Sequence, residues 1–276
     1  MVEPFVAWIE RDVIRAFGPD TVTFLQGQLS QDIEGMAIDE SRWSLLLEPT
    51  GKVVSWLRAT RAGDDEFVLD TDSGSGDAVI TRVQRFKLRT KCELEPVEGW
   101  RCLAVRGTTV VDPAARPIVW PGVQGVDLLG ASVTIPADAP TELDRYERAR
   151  IESGVPAVGR ELTEATIPVE AGQWLIDASV SFTKGCYTGQ ELVARIDSRG
   201  GNAPRPVRGL VVGGRIDVGA AVTSIDGRAL GELTSAWFDA ERDETIALAP
   251  LGRVVAPPAD VLVDGASARV VDLPMR

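Results

Sequence analysis

Apolar residues fall along this chain in short runs broken by glycine, proline and acidic turns, and the texture of the runs changes near residue 204. Ala7, Ile9, Val13 and Ile14 predict strand and turn structure over residues 5–16. Gly18-Pro19-Asp20 interrupts it, and Asp20 stands as N-cap of a short helix over 21–29 that turns Val22, Leu25 and Leu29 to one side. Residues 43–47 and 52–59 are apolar segments around Glu48-Pro49-Thr50-Gly51, which has hairpin-turn chemistry. A short strand over 67–69, an amphipathic helix over 74–85 and a strand over 102–111 follow, and Pro113, Pro117, Pro121 and Pro136 mark an irregular middle. A helix over 141–154 has Leu143, Tyr146 and Ile151 as inward candidates. Val180 to Phe182 predicts a short strand. Thr188-Gly189-Gln190-Glu191 reads as a capping box, with Leu192, Val193 and Ile196 as the helix face behind it and Gly200-Gly201 as its stop. From Pro204 onward, short β-type runs alternate with Gly, Pro and Asp turns and predict a small antiparallel barrel or sandwich. The expected division is a body over 1–203 and a β domain over 204–276.

Composition narrows the chemistry. With 276 residues, 44% hydrophobic and 25% charged, the chain is an ordinary globular sequence with enough length for two domains. The opening Met-Val-Glu-Pro-Phe has an acid where a signal peptide carries basic residues, and no apolar run approaches membrane-spanning length. A cytoplasmic protein with no membrane partner is expected. The net charge is −12; residues 204–276 hold 8 basic and 10 acidic residues (−2), leaving −10 for the rest. Neither part is a basic module, which argues against broad nucleic-acid binding. Three cysteines (Cys92, Cys102, Cys186) without a CxxC argue against a disulfide framework and a four-ligand zinc site, so no metal site is expected. Histidine is absent, which removes Ser-His-Asp, Cys-His and HExxH arrangements and leaves acid/base work to carboxylates, Lys, Tyr or Cys.

Two stretches carry candidate chemistry. In Ser181 to Glu191, Cys186 follows Gly185, precedes the predicted helix and stands near Lys184, and a helix N-terminus and a cation both stabilise a thiolate. The same pattern also reads as a plain strand-to-helix connection with an inert thiol. Arg82 to Lys91 is the dense basic run. If its second half is a strand, Arg85, Lys87, Arg89 and Lys91 share one face, either for a polyanion or as a solvated surface.

Lys184-Gly185-Cys186-Tyr187-Thr188-Gly189-Gln190-Glu191 resembles the signature of the folate-binding YgfZ family, which is related to the T-protein, the aminomethyltransferase of the glycine cleavage system. Phe24-Leu25-Gln26-Gly27-Gln28-Leu29-Ser30-Gln31-Asp32, Arg150-Ile151-Glu152-Ser153-Gly154 and Ile167-Pro168-Val169-Glu170-Ala171 are similar to further segments of these groups, so the likeness runs along nearly the whole chain. It implies an α+β, T-protein-like body around a central folate site, with a C-terminal antiparallel β-barrel. It also implies a protein that binds tetrahydrofolate or a one-carbon derivative and assists iron–sulfur cluster assembly or repair, with an indirect effect on tRNA modification. Its partners would be iron–sulfur client or assembly proteins, met transiently.

On that resemblance Cys186 is the key thiol and Lys184 keeps its pKa low. Glu152 reads the pterin, since a carboxylate accepts two parallel hydrogen bonds; its other reading is a helix glutamate paired with Arg148 or Arg150. Tyr146 either packs on the pterin or belongs to the core, and Arg150, Gln190 and Arg195 complete the folate set. The row from Arg85 to Lys91 is a candidate for the glutamyl tail. T-proteins carry an Asp-Asp pair shortly after a Gly-rich turn, needed for aminomethyl transfer. Here Ser55-Trp56 stands in its place, and neither side chain can act as a carboxylate base. Aminomethyl transfer is therefore expected to be lost. A folate-dependent transferase or demethylase using other residues, and a folate-binding module without chemistry, stay as alternatives.

Overall fold

A computed structural model describes residues 2–134, 141–198, 200 and 202–275. The chain first forms β1 (Phe5–Ile9), β2 (Arg11–Phe17), α1 (Thr21–Gln28), β3 (Ser41–Leu47), β4 (Val53–Gly63), β5 (Glu66–Asp72), α2 (Gly76–Gln84) and β6 (Glu93–Pro96). It continues through β7 (Arg101–Arg106), β8 (Ala115–Pro117), β9 (Gly125–Gly130), α3 (Leu143–Glu152), α4 (Gln173–Ser179) and α5 (Gln190–Asp197). It ends in β10 (Val207–Gly213), β11 (Ala221–Thr223), β12 (Ala229–Glu232), β13 (Ser235–Asp239), β14 (Glu244–Pro250), β15 (Ala259–Val263) and β16 (Ala266–Val271).

These strands make three antiparallel sheets: five strands in the order β3-β4-β5-β2-β6, four in the order β1-β7-β9-β8, and seven in the order β12-β11-β15-β16-β10-β14-β13. The seven-stranded sheet curls into a half-barrel around its own cluster of Leu210, Val212, Val222, Ala247, Val261, Val263 and Val270. Ile151 of α3 packs with Val207 and Leu248 and joins this sheet to the body.

The five-stranded sheet is covered on both faces, which explains why β3 reads as a continuous apolar run. Its side chains alternate, so Trp43, Leu45 and Leu47 enter one cluster with α4, while Leu46 joins Phe24, Leu25, Val79 and Val83 of α1 and α2 on the other face. In β4, Trp56 and Leu57 split in the same way.

Several expectations need correction. Val180 to Phe182 forms no strand; α4 runs to Ser179 instead and hands over to an irregular loop. Asp20 occupies the position before α1, but its carboxylate accepts from the Lys91 backbone N–H at 2.7 Å and makes no cap bond to the helix. The segment from Arg85 to Lys91 is not a strand, so its basic side chains share no face; Arg85 pairs with Glu48 at 3.1 Å and Lys87 with Glu93 at 2.6 Å. Leu143 is 54% exposed because it opens the first turn of α3, where the helix borders the cavity and nothing packs over it as it does over Ile151. Pro136 and Gly201 lie outside the described residues.

Candidate functional site: a tryptophan-lined cavity and a clasped thiol loop

A cavity of about 830 Å³ opens between the two body sheets, α3 and the segment 155–160. Five of the seven tryptophans line it (Trp8, Trp43, Trp56, Trp100 and Trp120), together with Tyr146. Trp43 and Trp56 stack with ring centroids 4.2 Å apart, and Trp174 meets Trp56 edge-on at 5.8 Å. Across the cavity Trp120 and Tyr146 lie 5.1 Å apart, with the Arg106 guanidinium 4.3 Å from the first ring and 5.3 Å from the second. Flat aromatic walls of this kind bind a planar ligand by stacking and leave its edge to polar groups.

The polar groups come from a chain of buried ion pairs. Asp72 meets Arg11 at 2.6 Å, Arg11 meets Asp70 at 2.8 Å, and Asp70 meets Arg58 at 2.9 Å. Arg58 meets Asp127 at 3.0 Å, and Asp127 meets Arg106 at 2.9 Å. Three guanidinium groups and three carboxylates alternate, so the chain is neutral as a set. Burial pushes the Asp127 carboxyl up, but Arg106, Arg58 and Arg11 outweigh it and hold the pKa below the ordinary range. Glu147 is likewise lowered: burial opposes ionisation, and Arg150 and Arg160 prevail. Burial raises the Tyr146 hydroxyl, which stays protonated.

The signature forms a second feature, on the outer side of β3. The Lys184 ammonium donates to three backbone carbonyls, those of Gln26 (2.6 Å), Leu29 (2.7 Å) and Gln31 (2.8 Å). The Thr188 N–H donates to the Gly27 carbonyl at 3.1 Å. These acceptors lie at and just beyond the C-terminus of α1, where helix carbonyls lack partners and the dipole favours a cation. The two sequence motifs, 24–32 and 184–191, are therefore one structural unit: the second caps the helix of the first. Gly189 makes the approach possible. Its φ is +85°, and a Cβ there would lie 2.7 Å from the Glu48 carbonyl oxygen. The expected capping box is absent for the same reason, because left-handed Gly189 is itself the N-cap of α5 and Gln190 accepts from the Tyr187 N–H at 3.1 Å.

Lys184 thus serves the carbonyls of the 26–31 segment. Burial brings the Lys184 pKa down to about 8, and the Asp32 carboxylate works in the other direction. Cys186 is exposed on the clasped loop, whereas Cys92 and Cys102 are buried. Among the described residues no group of His, Cys, Asp and Glu is arranged to hold a metal ion.

Of the sequence-predicted folate residues, Tyr146 and Arg150 line the central cavity. Arg150 is fully engaged there, donating to the Val155 carbonyl and to Ser235 Oγ, both at 2.7 Å. Glu152 does not line it. Six residues after Tyr146, it points to another side of α3, pairs with Arg148 at 2.9 Å and borders a separate 740 Å³ cleft with Arg145, Pro274 and Met275. Gln190 caps its own loop, and Arg195 is exposed on α5; neither borders the cavity. Ser55 is buried with its hydroxyl 2.6 Å from Thr71 Oγ1, and the Trp56 indole N–H donates to Ser179 Oγ at 2.9 Å. Residues that sequence reasoning missed are the tryptophans, Arg106, Asp127 and Glu147. The signal available for the cavity was the crowding of five of the seven tryptophans into the first 120 residues.

Comparison with known proteins places this geometry. The crystal structure of glycine cleavage system aminomethyltransferase T from Bartonella henselae superposes with a TM-score of 0.79 over 98% of this chain and 86% of that one, at 20% sequence identity. The chain therefore has the aminomethyltransferase T fold. Its resemblance to the YgfZ family is borne out by two curated relatives. One is the tRNA-modifying protein YgfZ of Photorhabdus laumondii, 26% identical over 216 residues (69% of this chain, 65% of that protein). The other is the mitochondrial iron–sulfur cluster assembly factor IBA57 homolog of Mycosarcoma maydis, 28% identical over 219 residues (69% of this chain, 53% of that protein). An uncharacterized Haemophilus influenzae protein is 24% identical over 200 residues, 72% of this chain and 70% of its own length. The match spans about half to two thirds of the two named relatives. No family model matches the chain, and no helix among the described residues is long and apolar enough to cross a membrane.

Proposed function

We propose that this chain is a folate-binding protein that assists the assembly or repair of iron–sulfur clusters on client enzymes, in the cytoplasm, and through those clients affects tRNA modification. The observation that carries the reading is the pairing of one exposed thiol on a hydrogen-bonded, clasped loop with a separate aromatic cavity. The named relatives support the process. The cavity suits the ring system: about 830 Å³ lies within the roughly 300–1,000 Å³ usual for small-molecule sites, and its walls are indole rings. Tyr146 and Trp120 would stack on tetrahydrofolate or a one-carbon derivative, which supplies a one-carbon unit or a reduced pterin when bound.

Cys186 would meet the client. A single thiol cannot hold a cluster by itself, since clusters take about four thiolate ligands, so the contact is shared and transient. Aminomethyl transfer finds no carboxylate at 55–56, where one hydroxyl is buried against Thr71 and one indole forms the cavity wall. The test is complementation of a deletion strain with Cys186→Ser. Activity of cluster-containing enzymes should fall toward the level of the empty vector, and full activity would remove the thiol from the account. In parallel, titration of a reduced folate into the purified protein and Tyr146→Ala should show binding weakened by the variant. Absence of binding to either would remove the folate.

A further inference from the structure

Two stretches of this chain are almost free of charge, and the fold brings them together. Residues 21–31 hold no Asp, Glu, Lys or Arg, and residues 181–190 hold only Lys184, in a sequence that is 25% charged. The Lys184 ammonium is spent inside the fold, on the carbonyls of Gln26, Leu29 and Gln31. With Thr188 N–H on the Gly27 carbonyl, residues 185–187 cross the end of α1 between two anchor points. The outward members are uncharged: Thr23, Phe182, Thr183, Gly185 and Cys186 are exposed, Phe182 by 52%. Solvated faces ordinarily carry charges, whereas the centre of a protein–protein contact surface is depleted of them and enriched in aromatic side chains. Two glycines of this face have no internal reason to be glycine. A Cβ on Gly27 or on Gly185 would meet no atom within 4 Å, and neither residue has a left-handed φ. Glycine is also a poorer helix former than alanine, so Gly27 weakens α1 without serving it. What a bare backbone there does allow is close approach from outside.

Carboxylates edge the face. Asp32 accepts from Gln26 Nε2 at 2.9 Å, Glu34 is exposed with its N–H on Gln26 Oε1 at 3.2 Å, and Glu191 is exposed in the first turn of α5. We propose that the end of α1 and the thiol loop form a docking face for a protein whose contact surface is uncharged at its centre and carries lysine or arginine at its rim. The partner lies flush on Gly27 and Gly185, over Cys186. Phe182 is the apolar anchor, and the carboxylates take the partner's rim cations, which favours encounter in the right orientation. The same carboxylates repel a phosphate backbone, so the face suits a protein and not a nucleic acid. The assignment rests on the reading of Cys186 as the residue that meets a client, and it adds the footprint and the chemistry of that client.

The experiment carries Gly27→Gln and Thr23→Glu into a deletion strain, beside Cys186→Ser and a control, Gly213→Gln. Gly213 is an exposed glycine of β10 whose Cβ would also meet nothing within 4 Å, but it lies in the seven-stranded sheet. Glutamine is a better helix former than glycine, and a glutamate in the first turn of α1 suits the helix dipole. Both variants should therefore keep the native urea midpoint and the native rate of Cys186 with a small thiol reagent. Activity of cluster-containing enzymes should nevertheless fall by at least about fivefold in each, while Gly213→Gln keeps full activity. Should one of the two variants lose stability, the other decides. Full activity of Gly27→Gln and Thr23→Glu beside an inactive Cys186→Ser overturns the docking face and leaves the role of the thiol standing. Full activity of all three overturns both readings.

Discussion

Replacing Lys184 with methionine tests whether the signature is a clasp. Methionine keeps most of the apolar stem and removes the ammonium, leaving the carbonyls of Gln26, Leu29 and Gln31 without their donor. A hydrogen bond to a charged group contributes about 1.5–3 kcal/mol, and a cation at a helix C-terminus adds about 0.3–1 kcal/mol. Two effects reduce that gross sum. The lysine is half-buried, so water reaches some of the freed carbonyls, and burial of the ammonium, visible in its pKa of about 8, already opposes the contact. A net loss of about 2–4 kcal/mol in unfolding free energy follows, measured by urea denaturation. The loss should be accompanied by faster hydrogen exchange at the Thr188 amide, which donates to Gly27 at the same helix end. Lys184→Arg should recover only part of it, because a planar fork does not converge on three carbonyls as an ammonium does. A change below about 0.5 kcal/mol with unaltered Thr188 exchange would refute the clasp.

The same lysine gives a pH signature. Its folded pKa is lowered to about 8 from an ordinary 10.5, so between those values the unfolded chain binds more protons. The stability difference between the native protein and Lys184→Met should therefore be flat below about pH 8 and should rise as pH climbs from 8 toward 10.5, read from denaturation midpoints. A thiol reagent under native conditions should titrate Cys186 alone, and denaturant should release Cys92 and Cys102. Asp70→Asn breaks the ion-pair chain where one fully buried carboxylate serves both Arg11 and Arg58. Stability should fall by about 3–5 kcal/mol, since Arg11 and Arg58 each lose one of two carboxylate partners and keep only Asp72 and Asp127 respectively, and a loss under about 1 kcal/mol would count against the chain as a structural unit.

Much of the frame was legible because it depends on local pattern. The hairpin at Glu48 to Gly51, the helix after Asp20 and the short antiparallel runs beyond Pro204 all follow from turn chemistry and period. What sequence periodicity could not supply was direction. Tyr146 and Glu152 sit on one helix six residues apart, and only packing against β13 and β14 decides that the first enters the cavity and the second leaves it. The Arg85 to Lys91 run alternates well enough for a strand, yet ion pairs with Glu48 and Glu93 and a left-handed Arg89 (φ 56°) hold it irregular. The Asp72-Arg11-Asp70-Arg58-Asp127-Arg106 chain draws on strands far apart in sequence, and no local motif announces it.

The thiol loop and the cavity are separate features, but they are joined through Ser179. The Trp56 indole, part of the cavity wall, donates to Ser179 Oγ, and the Ser179 carbonyl accepts from Ser30 Oγ at 2.6 Å. The Ser30 carbonyl in turn accepts from the Ser181 N–H at 3.0 Å, and the carbonyls on either side of Ser30, those of Leu29 and Gln31, are the ones Lys184 grips. Every link is a hydrogen bond to a buried or half-buried group, so moving one end obliges the next to find a new partner or lose one. At the position where the family resemblance leads one to expect an acidic pair, this chain has Ser55-Trp56, and the Trp56 ring lines the cavity while its N–H leads toward the thiol loop. Trp56 thus belongs both to the cavity wall and, through Ser179 and Ser30, to the hydrogen-bonded frame of the loop that carries Cys186.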